Sequence, residues 1–170
     1  MTTSLQQLFP GFARQMHKLD VEDLAEPLTD TEIQNLEKIL NIELPPSYKR
    51  FLKFTRGFTA LGRSVQLGFQ HPFFHEFEAL NELSIEQQKI IKQRKEVWPP
   101  PSNGMLCFAE FFMEADGDQV LFDITQKNKI GEYPVYYYAH EDRPPSVRKI
   151  ADSFEQWLNE FGDYKAFQKE

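Results

Sequence analysis

Four histidines, one cysteine and a surplus of carboxylates are the side chains from which this sequence would have to build chemistry. His71 and His75 stand four apart, a spacing that sets two metal ligands on one face of a helix. The corresponding zinc motif needs a glutamate directly after the first histidine. Pro72 holds that place, and proline argues for a loop there. Glu114, Asp116 and Asp118 alternate like the opening ligands of a calcium loop. That loop requires glycine where Gln119 stands and a bidentate glutamate where Thr125 stands. Asp116-Gly117 has instead the chemistry of a tight hairpin turn, because both residues tolerate positive φ. No metal and no cofactor are expected.

Nucleophilic catalysis fares no better. Cys107 lies in the apolar run Met105-Leu106-Cys107-Phe108, where burial keeps a thiol protonated and inert. Ser47 and Ser153 fall at expected helix starts, where capping accounts for their hydroxyls. No Gly-x-Ser-x-Gly elbow occurs. The glycines from Gly57 to Gly62 lack the Gly-Lys-Ser/Thr ending of a phosphate loop. Glu110, Glu114, Asp116 and Asp123 are carboxylates with no sign of a shared, desolvated cleft. The expectation is a protein that is not an enzyme.

Binding chemistry is better represented. Pro72-Phe73-Phe74-His75-Glu76-Phe77-Glu78 sets aromatic rings beside negative charge in an expected loop. Rings of this kind either cover one end of a core or anchor a partner. Phe73, Phe74, Glu76 and Glu78, joined by the acidic turn of Glu114, Asp116 and Asp118, are the candidate partner-binding residues.

The elements that position these segments follow from periodicity. Leu5, Leu8, Phe9, Phe12 and Met16 have helical spacing interrupted by Pro10-Gly11, which predicts a short or broken helix, and 19–27 a link. Thr29 and Glu32 have capping-box spacing ahead of the stripe Ile33, Leu36, Ile39 and Leu40, in a helix that should stop near Asn41. Pro45-Pro46 starts the next helix, with Tyr48, Phe51, Leu52 and Thr55 on one face and Gly57 as its C-terminal cap. Val65, Leu67 and Phe69 alternate as a strand. Ser84 and Gln87 cap a surface helix through Ile85, Ile90 and Ile91, ended by Trp98 and three prolines. Strands are expected over 105–112, 119–124 and 135–139, with a turn over 127–131. Asp152 or Ser153 caps a last helix carrying Phe154, Trp157, Leu158 and Phe161. Helices first, antiparallel strands next and a helix last make the class α+β.

The chain has 170 residues, which suits one domain able to bury a core without disulfides, and a single cysteine permits none within the chain. Lys and Arg number 19 against 26 Asp and Glu, a formal charge of −7. An acidic chain repels phosphate backbones and anionic lipid, so neither nucleic acid nor membrane is an expected partner, whereas a basic protein would be steered towards it. No apolar run approaches a membrane span and no signal peptide is visible, so a reducing cytoplasm is the expected location.

Four stretches in order carry a resemblance to a family. They are Leu28-Thr-Asp-Thr-Glu-Ile33 with Leu44-Pro-Pro-Ser-Tyr-Lys-Arg-Phe-Leu52, then Asp116-Gly-Asp-Gln-Val-Leu-Phe-Asp123, then Pro134-Val-Tyr-Tyr-Tyr-Ala-His-Glu141, and finally Ile150-Ala-Asp-Ser-Phe-Glu-Gln-Trp-Leu158. Together they resemble the SUKH superfamily, in which fungal members are cell-wall assembly regulators and many bacterial members are immunity proteins. The resemblance implies a mixed-order, mostly antiparallel sheet with helices packed against it. It also implies a non-catalytic protein-binding role: neutralising a toxin domain, for which the charge suits a basic one, or alternatively acting as a regulatory scaffold. The expected organisation is an N-terminal extension over 1–27, a SUKH-like domain over 28–161 and a tail over 162–170. The stretch 70–104 is longer than in compact members.

Overall fold

A computed structural model describes residues 4–22, 24–60, 65–68, 105–111, 118–139, 142–144 and 146–160. Its described helices are α1 (Leu5–Leu8), α2 (Pro10–Gln15), α3 (Asp30–Leu40), α4 (Pro46–Leu52) and α5 (Phe154–Asn159). Its described strands are β1 (Gly57–Ala60), β2 (Val65–Gly68), β3 (Met105–Phe111), β4 (Asp118–Asp123), β5 (Val135–Ala139) and β6 (Ser146–Ala151). The class is α+β, with one antiparallel six-stranded sheet. The mixed strand order implied by the resemblance is not observed: the strands lie side by side in chain order.

Helix α3 is bounded as its sequence dictates. The Glu32 carboxylate accepts from the Thr29 N–H at 2.7 Å, and the Thr29 hydroxyl accepts from the Glu32 N–H at 3.3 Å. Asn41 closes the helix at φ 53°, a left-handed conformation that asparagine tolerates. The expected break in the N-terminal helix falls at Phe9 and Pro10. Gly57 does not cap α4. That helix ends at Leu52 with Lys53 as its cap, and Gly57 opens β1. Strands β1 and β6 have neither the alternating apolar pattern of β2 nor the continuous apolar run of β4, and sequence reading missed both.

The core is built from rings. Phe9 and Phe12 of the N-terminal segment, Tyr48 and Phe51 of α4, Phe58, Phe108, Phe122, and Phe154 and Trp157 of α5 are all buried. Tyr48 sits among them, with ring centroids 5.0 Å from Phe154 and 5.4 Å from Phe122, both edge-on. A bulge between Cys107 and Ala109 adds one residue to β3 opposite β4, and Phe108 stacks on Phe122 at 4.1 Å. Strand β4 is buried along its whole length, on both faces.

Two helices open on proline and lack a cap of their own. Proline fits a first turn, but a preceding Phe9 or Pro45 offers no side-chain acceptor. The acceptors come from far along the chain. The Asn159 side-chain oxygen accepts from the N–H groups of Gly11 at 2.9 Å and Phe12 at 3.3 Å, across 148 residues to Gly11. The Glu132 carboxylate accepts from the N–H and the hydroxyl of Ser47, each at 2.8 Å and 85 residues away. Ser47 therefore does not cap α4, as its position suggested; it donates to the group that does.

Candidate partner-binding surface

Of the expected partner-binding residues, Phe73, Phe74, Glu76, Glu78, Glu114 and Asp116 lie outside the described residues, as do His71, His75, His140 and the helix expected through Ile85 to Ile91. Asp118 is described, and it is not an exposed acid. Alternation along β4 puts Asp118 on the same face as Val120 and Phe122, which is the core face. Only 7% of it is exposed, and its carboxylate accepts from the Tyr137 hydroxyl at 2.9 Å. The Arg148 guanidinium lies 5.5 Å from the centre of the Tyr137 ring. The residue expected to face a partner instead anchors β4 to β5.

Asp123, one of the carboxylates considered for chemistry, holds a turn, and Glu37 holds a corner. Asp123, also buried, accepts from the Thr125 N–H and hydroxyl and from the Gln126 amide. Glu37 accepts from the Leu44 N–H at 2.8 Å and pairs with Lys49 at 3.2 Å, which fixes the α3–α4 corner. Cys107 is buried as expected, with its Sγ–H directed at the Ala109 carbonyl across the bulge. The Gly57–Ala60 part of the glycine segment is a paired strand rather than a phosphate loop.

The α3–α4 corner docks on the turn between β4 and β5. Tyr133 donates its hydroxyl to the Glu43 carbonyl at 2.7 Å, and Lys127 pairs with the Glu43 carboxylate at 2.6 Å. That ammonium holds the Glu43 carboxyl below the ordinary range, and Glu43 in turn raises Lys127. Burial pushes the Tyr133 phenol up. Beside this corner lies an open depression of about 470 Å³ lined by Gln34, Glu37, Lys38, Asn41, Ile42 and Glu43. It is open and made from a helix end, and its two carboxylates are already paired, Glu37 with Lys49 and Glu43 with Lys127. Ile130 stands 74% exposed at the nearby turn. Among the described residues, no three His, Cys, Asp or Glu side chains are placed to hold a metal ion. Among them too, no helix is long and apolar enough to cross a membrane.

The two edges of the sheet differ. β1 is covered, because Glu22 and Thr59 exchange both N–H···O bonds and Ala25 donates to the Gly57 carbonyl. β6 carries Val147, Arg148 and Lys149 beside a half-exposed tyrosine pair, Tyr136 and Tyr138, on β5.

The helix–corner–helix opening, the β4 turn and strand, the tyrosine strand and the closing helix thus share one core, in the order the family resemblance required. The model of the SMI1/KNR4 family (SUKH-1) matches residues 27–160. The chain belongs to that family. No curated protein matches it. The match leaves out the segment of α1 and α2, where Phe9 between the helices and Phe12 of α2 nonetheless fill the same core as the SUKH-1 elements. Sequence reading found the α3–α4 corner but not its partners Glu132, Lys127 and Tyr133. The only local hint was the turn chemistry of 127–131.

Proposed function

We propose that this SUKH-1 chain is a non-catalytic protein-binding module that holds and neutralises a toxin domain, acting in the cytoplasm as an immunity-type protein. The observation that carries the reading is the use of the buried carboxylates among the described residues. Asp118, Asp123 and Glu132 each already accept hydrogen bonds from the chain's own turns, strand and helix start. A catalytic acid or base has to keep an orbital or a proton for its substrate, whereas these three serve the fold. The charge of −7 favours a basic partner through long-range steering. Phe73, Phe74, Glu76, Glu78, Glu114 and Asp116 remain the proposed contact residues, and neither nucleic acid nor membrane is the proposed partner.

Isothermal titration against the toxin domain encoded beside this gene tests the reading. Binding at least micromolar, weakened at high salt, is the expected result. Absence of binding at millimolar concentrations removes it. The second reading is a regulatory scaffold of the cell-wall-regulator type. The family match favours it equally, and it predicts several housekeeping partners in a pull-down from the native host.

A further inference from the structure

The exposed edge of the sheet has a chemistry opposite to that of the whole chain. β6 pairs with β5 on one side only, and among the described residues nothing pairs with its other side. Every second residue of such a strand turns an N–H and a C=O outwards, a template for another strand. The register is straight from Ser146 to Lys149 and shifts beyond it, between Tyr136 and Val135 of β5, so the free edge is short. Within it Val147 is 38% exposed and Arg148 and Lys149 point to opposite faces. Arg148 lies over Tyr137, and Lys149 pairs with Asp152 at 2.5 Å; Arg143 precedes the strand, and Asp142 accepts from the Ser146 hydroxyl. The straight edge itself therefore carries two cations and no anion.

We propose that this edge receives a short extended segment of a partner protein as a seventh strand, and that the segment carries adjacent acidic residues. The charges decide against a second copy of the chain. Any antiparallel self-pairing of Ser146–Lys149 sets Arg148 and Lys149 opposite or diagonal to cations of the other copy, and like charges across a strand pair repel. An acidic strand reverses the sign of each contact on both faces, and Val147 gives the incoming strand an apolar neighbour. The strand is made of other residues than the segments proposed for toxin binding, and its test does not depend on them.

The probe is a capped six-residue peptide, Val-Thr-Glu-Glu-Val-Thr, titrated to millimolar concentration into the full chain labelled with ¹⁵N. Saturable amide shifts confined to β6 and β5 are expected. The same peptide with lysines in place of its glutamates, and one N-methylated at alternate residues, should produce none. The double variant R148E/K149E, checked for folding by circular dichroism, should weaken the acidic peptide by about tenfold. Binding that tolerates N-methylation or charge reversal, shifts confined to another surface, or no shifts at all would overturn the proposal. So would a concentration-dependent dimer of the unliganded chain in sedimentation that the charge reversal abolishes.

Discussion

The Tyr48 hydroxyl is fully buried among rings and finds no hydrogen-bond partner among the described residues. A desolvated hydroxyl without a partner costs about 1–3 kcal/mol. Tyr48→Phe is therefore expected to leave stability unchanged or raise it by about 1 kcal/mol in urea denaturation. The reverse holds at Glu132. Glu132→Ala removes the acceptor for both the N–H and the hydroxyl of buried Ser47. The expected loss is about 2–4 kcal/mol, and Glu132→Gln, which keeps one acceptor, should lose less. An equal loss in the two variants would mean that charge, rather than hydrogen bonding, supports the start of α4. Neither role was visible in the sequence. A tyrosine at a core position reads the same whether or not its hydroxyl is satisfied, and a glutamate in a turn-rich stretch gives no sign that it faces inwards.

At the scale of elements, the packing of α2 against α5 depends on Gly11. A Cβ there would lie 2.5 Å from the Asn159 carbonyl oxygen, closer than any real contact allows. Gly11→Ala should push α2 off α5, at a cost of about 1–3 kcal/mol, and should raise amide exchange through residues 5–15 first. Asn159→Ala should give a similar exchange pattern by removing the cap while sparing the close approach. Elements with local signals were legible. Thr29 with Glu32 marked α3, proline marked α4, Asp152 or Ser153 marked α5, and the strand expected over 119–124 is β4. Elements whose stability comes from neighbours were not. β1 has four residues and gains its place from pairing on both sides. β6 is an edge strand rich in charge, which propensity alone assigns to a loop. The expected acidic turn failed at Asp118 for the same reason. A residue one step inside a strand obeys the two-residue period of that strand, not the chemistry of the turn beside it.

At the scale of the molecule, the phenols set the alkaline limit. Burial raises both Tyr48 and Tyr133 above the ordinary value of 10.0, so the folded state keeps protons that the unfolded state releases. Their contribution is fully present below pH 10 and is lost as pH rises above it. Unfolding free energy should fall by up to about 1.4 kcal/mol per pH unit for each such group. Tyrosinate absorbance should appear together with unfolding, and Tyr48→Phe should flatten the fall. A pH-independent stability from 9 to 11 would contradict the burial of both rings.

The remote caps bear on how the protein emerges from the ribosome. Five of the eleven buried aromatic rings among the described residues come before position 60, yet the groups that cap α4 and α2 are translated only at positions 132 and 159. A nascent chain that stops short of residue 132 lacks both of those groups, and it lacks the Phe154 ring that packs on Phe9 and Tyr48. The early segment is thus expected to complete its packing only once residue 159 has been made, and until then its rings lack their long-range partners.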